Sequence, residues 1–113
     1  MKEADMIQFA NISAPAAERI SIVRGTGNLG LVVQQQIRIL SAEEFTDFDV
    51  RWNRSSLSIE ARSDTMIVRR DFDATGTLEC ERIVDGTVGI KRIFDCDGFT
   101  PISEEMFDIY EDR

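Results

Sequence analysis

Histidine is absent from this sequence of 113 residues. Because histidine is the commonest general base and the commonest transition-metal ligand, its absence argues against hydrolase and metalloenzyme chemistry. Serine, aspartate and cysteine are present, but without histidine they do not assemble into a nucleophile, a base and an orienting group. The sequence therefore predicts a protein that is not an enzyme and that uses neither a cofactor nor a metal.

Long apolar runs are also missing, and cysteine is scarce. No run approaches the ~18 apolar residues that a membrane span needs, and the N-terminal segment lacks the apolar stretch of a secretory signal. The two cysteines, Cys80 and Cys96, flank a turn at Asp85–Gly86. A hairpin there pairs residues whose numbers sum to about 170–172, whereas the cysteines sum to 176. We expect two free thiols, a cytoplasmic protein and no membrane partner.

The same arithmetic places Lys91 opposite Cys80, and a neighbouring lysine lowers the pKa of a thiol. An inert strand cysteine is the alternative that we favour.

The net charge of −8 is unevenly distributed. Residues 1–40 hold three acids and four bases, a balance of +1, whereas residues 41–113 hold 18 acids and nine bases, a balance of −9. Because phosphate contacts need lysine and arginine, we expect no direct binding to nucleic acid. The natural target of such a charge is a basic protein.

Short segments of alternating apolar and polar residues recur, separated by turn residues. With turns at about ten-residue spacing, they are typical of an antiparallel sandwich, barrel or meander. We expect a mainly β fold of about six to eight strands, with α+β as the alternative. Residues 18–113 form the predicted domain, and residues 1–17 an N-terminal arm or edge segment. The predicted core side chains are Ile20, Ile22, Val33, Phe48, Val50, Trp52, Leu57, Ile59 and Phe94.

Residues 29–40 fit two patterns equally well. A period of 2 aligns five apolar residues with one exception, Gln35, and a period of 3.6 aligns five with one exception, Gln36. The β-branched residues favour a strand, whereas the run of three glutamines fits a helix slightly better. We predict a strand, because Gly27–Asn28 would close a hairpin after a strand at Glu18–Arg24.

The C-terminal segment has a helical pattern. Ser103 is a good N-cap residue, and Glu104 and Glu105 would occupy the first turn, where the helix dipole favours anions. Met106, Ile109 and Tyr110 follow at helical spacing. We predict a short helix at about 103–111, packed on the sheet by its apolar side.

Two segments repeat at a spacing of 22 residues. Val68–Gly76 and Ile90–Gly98 share the order apolar, basic, Arg, any residue, Phe, Asp, two residues, Gly. The unit resembles the aromatic-Asp-x-x-Gly unit of tyrosine–aspartate hairpin repeats in large bacterial proteins, and it is similar to the hairpin units of MORN-type repeats. Since a repeat array needs at least about three copies, we interpret the unit as a strand that ends on an aromatic residue before a turn.

Two short motifs suggest ligands. Gly25, Gly27 and Gly30 match the G-x-G-x-x-G pattern, which cradles a dinucleotide pyrophosphate when a helix follows. No series of further β–α units follows, so a glycine-rich turn is the favoured interpretation. Asp71–Leu78 matches the first eight positions of an EF-hand loop. Position 12 would be Arg82 instead of the required glutamate, so we expect no calcium site.

The carboxylates cluster in two places, which we take as the candidate partner-binding residues: Glu43, Glu44, Asp47 and Asp49, and then Glu104, Glu105, Asp108, Glu111 and Asp112. They predict a small acidic binding domain, such as an inhibitor or an immunity-type protein of bacterial or phage origin, that docks on a nuclease or another basic partner. One alternative is a β-rich structural subunit of a phage particle or secretion assembly, compatible with a homo-oligomer. The other is a nucleotide-binding domain that uses the three glycines.

Overall fold

The computed structural model describes residues 8–13, 29–53 and 55–108. These residues form seven strands and one helix: β1 (Gln8–Ser13), α1 (Leu29–Ala42), β2 (Asp47–Trp52), β3 (Ser56–Arg62), β4 (Met66–Asp73), β5 (Leu78–Asp85), β6 (Val88–Phe94) and β7 (Pro101–Asp108). The strands build one sheet in chain order, and every neighbouring pair is antiparallel. The predicted mainly β antiparallel fold of six to eight strands is confirmed, and of the three expected architectures the sheet is the meander. The strand β1, within the predicted arm or edge segment, forms one edge of this sheet, and β7 forms the other.

The two faces of the sheet differ in what covers them. The helix face carries the buried residues Phe48 and Val50 of β2 and Ile59 of β3, which share one core with the buried side of α1. The opposite face, which we call the open face, carries the alternating residues of each strand, such as Asp49 and Arg62. No helix within the described residues packs on the open face. The core therefore lies between α1 and the first four strands.

Residues 29–40 are helical, so the predicted strand is wrong. Leu29, Val33, Ile37 and Leu40 recur at intervals of four, four and three residues, and all are buried in α1. That spacing aligns them on one helix side, where they contact the apolar residues of the sheet. The predicted strand at Glu18–Arg24 and the turn at Gly27–Asn28 lie outside the described residues.

A Schellman motif ends α1. The amide of Phe45 donates to the carbonyl of Leu40 over 3.1 Å, and the amide of Glu44 donates to that of Ser41 over 3.0 Å. Glu44 has a φ of 74°, the left-handed conformation that this motif requires. Leu40 and Phe45 are both buried, so the motif turns the chain from α1 into β2 with an apolar contact across the reversal.

The repeated Asp-x-x-Gly segments both form turns between strands. In the first, the Gly76 amide donates to the Asp73 carbonyl over 3.0 Å, and in the second Gly98 donates to Asp95 over 2.9 Å. Both glycines have positive φ angles, 87° and 77°, which glycine adopts without steric cost. The interpretation of this repeat as a strand that ends in a tight turn is confirmed.

The predicted C-terminal helix is wrong over residues 103–108. These residues belong to β7, which pairs with β6 from Val88↔Asp108 to Phe94↔Pro101. A short isolated helix gains little stability in water, whereas the strand satisfies the free backbone groups of the β6 edge. Residues 109–111 of the predicted helix lie outside the described part of the chain.

Most of the predicted core residues are buried. Val33, Phe48, Val50, Trp52, Leu57 and Ile59 are buried, Phe94 is partly exposed, and Ile20 and Ile22 lie outside the described residues. The structure adds further buried apolar side chains, which are Ile12, Leu29, Ile37, Leu40, Phe45, Ala61, Val68 and Phe72. The additions come mainly from α1 and from its contacts on the sheet.

Candidate protein-binding surface

Two carboxylates of the first acidic cluster are bound within the protein. Asp47 and Asp49 lie on the open face of β2, where one Arg62 guanidinium donates to both, over 2.7 Å and 2.8 Å. Arg62 also binds Glu60 over 2.7 Å, and Asn11 of β1 donates to both aspartates. The bonds from Arg62 and Asn11 lower the pKa of Asp47, and the aspartates raise the pKa of Arg62. These two carboxylates therefore have internal partners, while Glu43 and Glu44 lie exposed in the turn after α1.

The second acidic cluster is divided between the two faces of the sheet. Because alternate residues of a strand point to opposite faces, Glu104 and Asp108 of β7 lie on the helix face and Glu105 on the open face. A helix would have placed these three carboxylates close to one another on its surface. Glu111 and Asp112 lie outside the described residues.

Glu104 ends a row of alternating charges that we call the charge ladder. It comprises Arg70, Glu81, Arg92 and Glu104, one from each of the strands β4 to β7 in direct register on the helix face. Arg70 donates to Glu81 over 2.9 Å, Arg92 donates to Glu81 over 3.1 Å, and Arg92 also binds Glu104. The carboxylates raise the pKa of Arg92, with Glu104 contributing most.

The buried end of the charge ladder is anchored to α1. Arg70 donates to the Gln36 side chain over 2.6 Å, so the glutamine run of the helix contributes one polar contact to the sheet. Glu81 is 8% exposed, whereas the side chain of Glu104 is 55% exposed. The ladder thus runs from the core to the solvent-exposed edge of the sheet.

Large apolar side chains lie exposed on β7 and in the loop before it. Phe99 is 82% exposed, Ile102 62% and Met106 68%. Together with Glu104 and Glu105 they form what we call the β7 edge surface. From Asp95 to Arg113 the chain carries seven carboxylates and one cation, a balance of −6 out of the total of −8. Exposed apolar groups surrounded by charge of one sign are characteristic of interaction surfaces.

An aromatic contact fixes the C-terminal part of β7 to the sheet. Phe107 lies directly opposite Gly89 on the open face, and its ring occupies the space that a side chain at Gly89 would need. The Arg82 guanidinium stacks on that ring, 4.6 Å from its centroid. This contact orders β7 although most of its side chains are exposed.

The surroundings of Cys80 do not favour an activated thiol. Cys80 and Cys96 are both free, as predicted. Cys80 faces Ile93 instead of Lys91, and Lys91 faces Arg82, so the predicted pairing is wrong by two residues. Burial and the nearby Asp71 raise the pKa of the Cys80 thiol, although Lys91 acts in the opposite direction.

The nucleotide-binding pattern does not lie in the expected context. Gly25 and Gly27 are outside the described residues, and Gly30 is the second residue of α1. The dinucleotide fingerprint requires a strand, a helix and a second strand parallel to the first. Every pairing in the described sheet is antiparallel, including that of β1 with β2.

The calcium-like loop uses its central carboxylate within its own turn. Asp73 accepts hydrogen bonds from the Thr75 amide, the Thr75 hydroxyl and the Thr77 amide, at 2.9, 2.6 and 3.0 Å. These bonds lower the pKa of Asp73, with the Thr75 hydroxyl contributing most. Asp71 instead accepts from Arg69 over 3.2 Å. Across the described ranges, no group of three or more His, Cys, Asp or Glu side chains is arranged to hold a metal ion.

Sequence reasoning missed the basic residues that organise these carboxylates. A signal for the charge ladder was present, since the alternation of β4 puts Arg70 on the same face as the buried residues Val68 and Phe72. A charge on an apolar face requires a partner. That partner became identifiable only once the register of β4 with β5 placed Glu81 opposite Arg70.

Comparisons with protein families, curated proteins and solved structures find no match to this chain. In the part of the chain that the structure describes, no helix has the length and apolar character needed to cross a membrane.

Proposed function

We propose that this chain is a non-enzymatic protein-binding domain that docks on a basic partner through the β7 edge surface. An inhibitor or immunity-type protein that blocks a nuclease or another nucleic-acid-binding protein would act in this way. The observation that supports the proposal is the concentration of exposed apolar side chains within the most acidic segment of the chain. Apolar contacts provide binding energy, while charge complementarity selects the partner and accelerates association.

The predicted carboxylates differ in how far they are available for contact with a partner protein. Arg62 binds Asp47 and Asp49, so these two residues contribute less to a partner than their charge alone implies. Among the described residues, the side chain of Glu105 has no hydrogen-bond or ion-pair partner, and the Glu104 side chain reaches solvent beyond its bond to Arg92. We therefore assign the main contact to Glu104, Glu105 and the exposed apolar groups beside them.

Charge reversal at two separate places tests the proposal. One variant carries E104K, E105K and D108K, and the matched control carries E43K, E44K and D64K, which lie in the turns before β2 and β4, several strands away from β7. Both variants raise the net charge from −8 to −2, so a difference in retention between them does not arise from net charge. Each immobilised protein is exposed to an extract of the source cells at low salt and eluted with increasing salt.

We expect the wild type and the control to retain the same basic proteins, and the β7 variant to lose them. Elution by a few tenths molar salt is expected for contacts that depend on exposed charges. Equal retention by the two variants would exclude the β7 edge surface as the contact. Circular dichroism of both variants verifies that each remains folded.

A structural subunit is the second candidate, because the described sheet has two edges, β1 and β7, that lack a further strand. Such edges are potential contacts between copies of a chain. Size-exclusion chromatography at several concentrations separates the candidates. An assembly subunit self-associates as its concentration rises, whereas an inhibitor stays unchanged and binds one foreign partner.

A further inference from the structure

We propose that β7 binds its partner by strand addition: an extended basic segment of the partner pairs with β7 as an eighth strand of the sheet. This inference rests on the proposed function and specifies how the basic partner is recognised. In strand addition, the main-chain hydrogen bonds provide affinity, and the alternating side chains provide specificity.

The edge itself is suited to this mode of binding. β7 has eight residues and pairs with β6 on one side, and no other described strand pairs with its second side. An edge strand presents a row of backbone donors and acceptors to an incoming chain. The contact between Phe107 and Gly89 holds this edge in place, so the incoming strand meets an ordered template.

The charge ladder specifies the side chain that the incoming strand needs. Positive and negative groups alternate strictly from Arg70 through Glu81 and Arg92 to Glu104, with one residue per strand. A strand added beside β7 places its own side chain directly opposite Glu104. Opposite charges at such positions stabilise strand pairing and like charges weaken it. Continuation of the ladder therefore calls for arginine or lysine at that position.

The adjacent rows specify two more positions. On the open face, Glu105 lies opposite Lys91, which in turn lies opposite Arg82. The residue of the added strand that lies opposite Glu105 should therefore be a second cation. On the helix face, Met106 ends an apolar row that contains Ile83 and Ile90, and it calls for an apolar residue. An antiparallel ligand thus carries an apolar residue followed by two basic residues.

A second copy of the chain does not meet these requirements through β7. Pairing of β7 with another β7 would bring together two segments in which residues 95–112 contain seven carboxylates and no cation. Like charges directly opposite each other destabilise strand pairing. The occupant that we assign is therefore a basic segment of another protein.

A synthetic peptide tests the strand addition with the full-length protein. The probe is Lys-Thr-Ile-Lys-Arg-Thr-Val-Thr, which in antiparallel register places isoleucine opposite Met106, lysine opposite Glu105 and arginine opposite Glu104. The controls are a scrambled peptide of equal composition and two N-methylated peptides, each with methyl groups on one alternate set of amides. Binding is followed by NMR titration, by intermolecular nuclear Overhauser effects and by amide exchange of β7.

We expect the probe to bind with cross-strand contacts to β7 and with slower exchange of β7 amides. The N-methylated peptide that lacks the donors facing β7 should bind about tenfold more weakly or worse, because the main-chain bonds are lost while every charge is kept. If the scrambled and both N-methylated peptides bind as well as the probe, strand addition is excluded, although the acidic surface still attracts basic chains. If no peptide binds, strand addition is excluded while the capture experiment still decides the proposed function.

A charge swap tests the register. The E104K variant should bind the probe roughly fivefold more weakly, because a favourable cross-strand pair becomes a repulsive one. Replacing the arginine of the probe by glutamate should restore binding to E104K but not to E105K. Equal rescue of the two variants would contradict the assigned register, and E104Q provides the comparison in which the charge is removed without repulsion.

Discussion

Gly89 and Phe107 face each other across β6 and β7, and the aromatic ring lies over the glycine. A Cβ at position 89 would collide with three atoms of that ring. The absence of a side chain thus allows Phe107 to lie along the sheet and to contact Arg82. Aromatic residues are known to cover strand glycines in this way.

Gly89→Ala should lower the free energy of unfolding by about 1–3 kcal/mol, because the added methyl group displaces a packed ring. In a Phe107→Ala background the same substitution should cost nothing or stabilise, since alanine is otherwise better than glycine in a strand. Urea unfolding of the four proteins gives the coupling between the two sites. If Gly89→Ala destabilised the wild type and the Phe107→Ala variant equally, the Phe107 ring would not be the reason why position 89 needs glycine.

Glu81 is the centre of the charge ladder, with an arginine on either side. Glu81→Ala should lower the free energy of unfolding by about 2 kcal/mol, because Arg70 and Arg92 lose their shared carboxylate within a partly buried row. Glu79→Ala provides the control, since Glu79 lies two residues earlier in β5 and is exposed. It should change stability by less than about 0.5 kcal/mol. Similar effects of the two substitutions would contradict the role assigned to the ladder.

Arg62 holds three carboxylates together on the open face. Arg62→Ala should lower the free energy of unfolding by about 1 kcal/mol at neutral pH, because the carboxylates then repel one another. Asp47 has a folded pKa below the ordinary 3.8. The ionised Asp47 therefore stabilises the folded state fully at pH values well above 3.8, and this stabilisation is lost as the pH falls through the folded pKa. The difference between wild type and variant should shrink as the pH is lowered from about 5 to below 3.8.

Chemical unfolding at several pH values measures this dependence. Arg69→Ala is the matched control, because Arg69 forms a single, longer ion pair with Asp71 and is about half exposed. Arg69→Ala should lower the free energy of unfolding by a small and nearly constant amount over the same pH range. If the loss of unfolding free energy caused by Arg62→Ala stayed constant down to pH 3, the ionised carboxylates would not be stabilised by Arg62.

Glu44 has a positive φ in the turn that ends α1. Glu44→Gly should raise the free energy of unfolding by about 0.5–1 kcal/mol, because glycine adopts the left-handed conformation without steric cost. Glu43→Gly, one residue earlier in the same turn, should give no such gain. Thermal unfolding of both variants is the measurement, and a gain at position 43 instead of 44 would contradict the explanation.

The two thiols should differ in reactivity. Cys96 is exposed in the β6–β7 loop, whereas Cys80 is partly buried and has a raised pKa. Because the thiolate is the reactive form, iodoacetamide near pH 8 should modify Cys96 first. Mass spectrometry of wild type, Cys80→Ser and Cys96→Ser gives the separate rates. Faster modification of Cys80 would indicate an activated thiol, contrary to its surroundings.

The strands from β2 to β6 were predictable because local sequence and tertiary packing agree there. Phe48, Val50 and Trp52 alternate with polar residues, and each buried residue faces the core as the alternation requires. The turns at Gly76 and Gly86 lie at positions where the chain needs positive φ, which glycine signals in the sequence. The hairpin at β5–β6 was predicted correctly, although its register was not: paired residue numbers such as Asp85 and Val88 sum to 173, outside the expected range of about 170–172.

The errors fall where the sequence supports two structures. In α1, the strand and helix patterns score equally, and the burial of Leu29, Val33, Ile37 and Leu40 against the sheet decides for helix. In β7, Ser103 and the glutamates after it favour a helix start, but pairing with β6 overrides that local preference. The predicted acidic cluster was consequently placed on one helix surface, whereas the strand divides it between two faces.

By itself, the sequence determined the antiparallel hairpins, the free cysteines and the concentration of negative charge after residue 40, because these depend on local alternation, turn chemistry and composition. Only the tertiary structure decided that residues 29–42 are helical, that Arg62 binds Asp47 and Asp49, and that Glu104 ends a charge ladder at an exposed edge. The physical reason is that each of these features depends on which residues face one another across strands, and that register is set by packing between segments distant in the sequence.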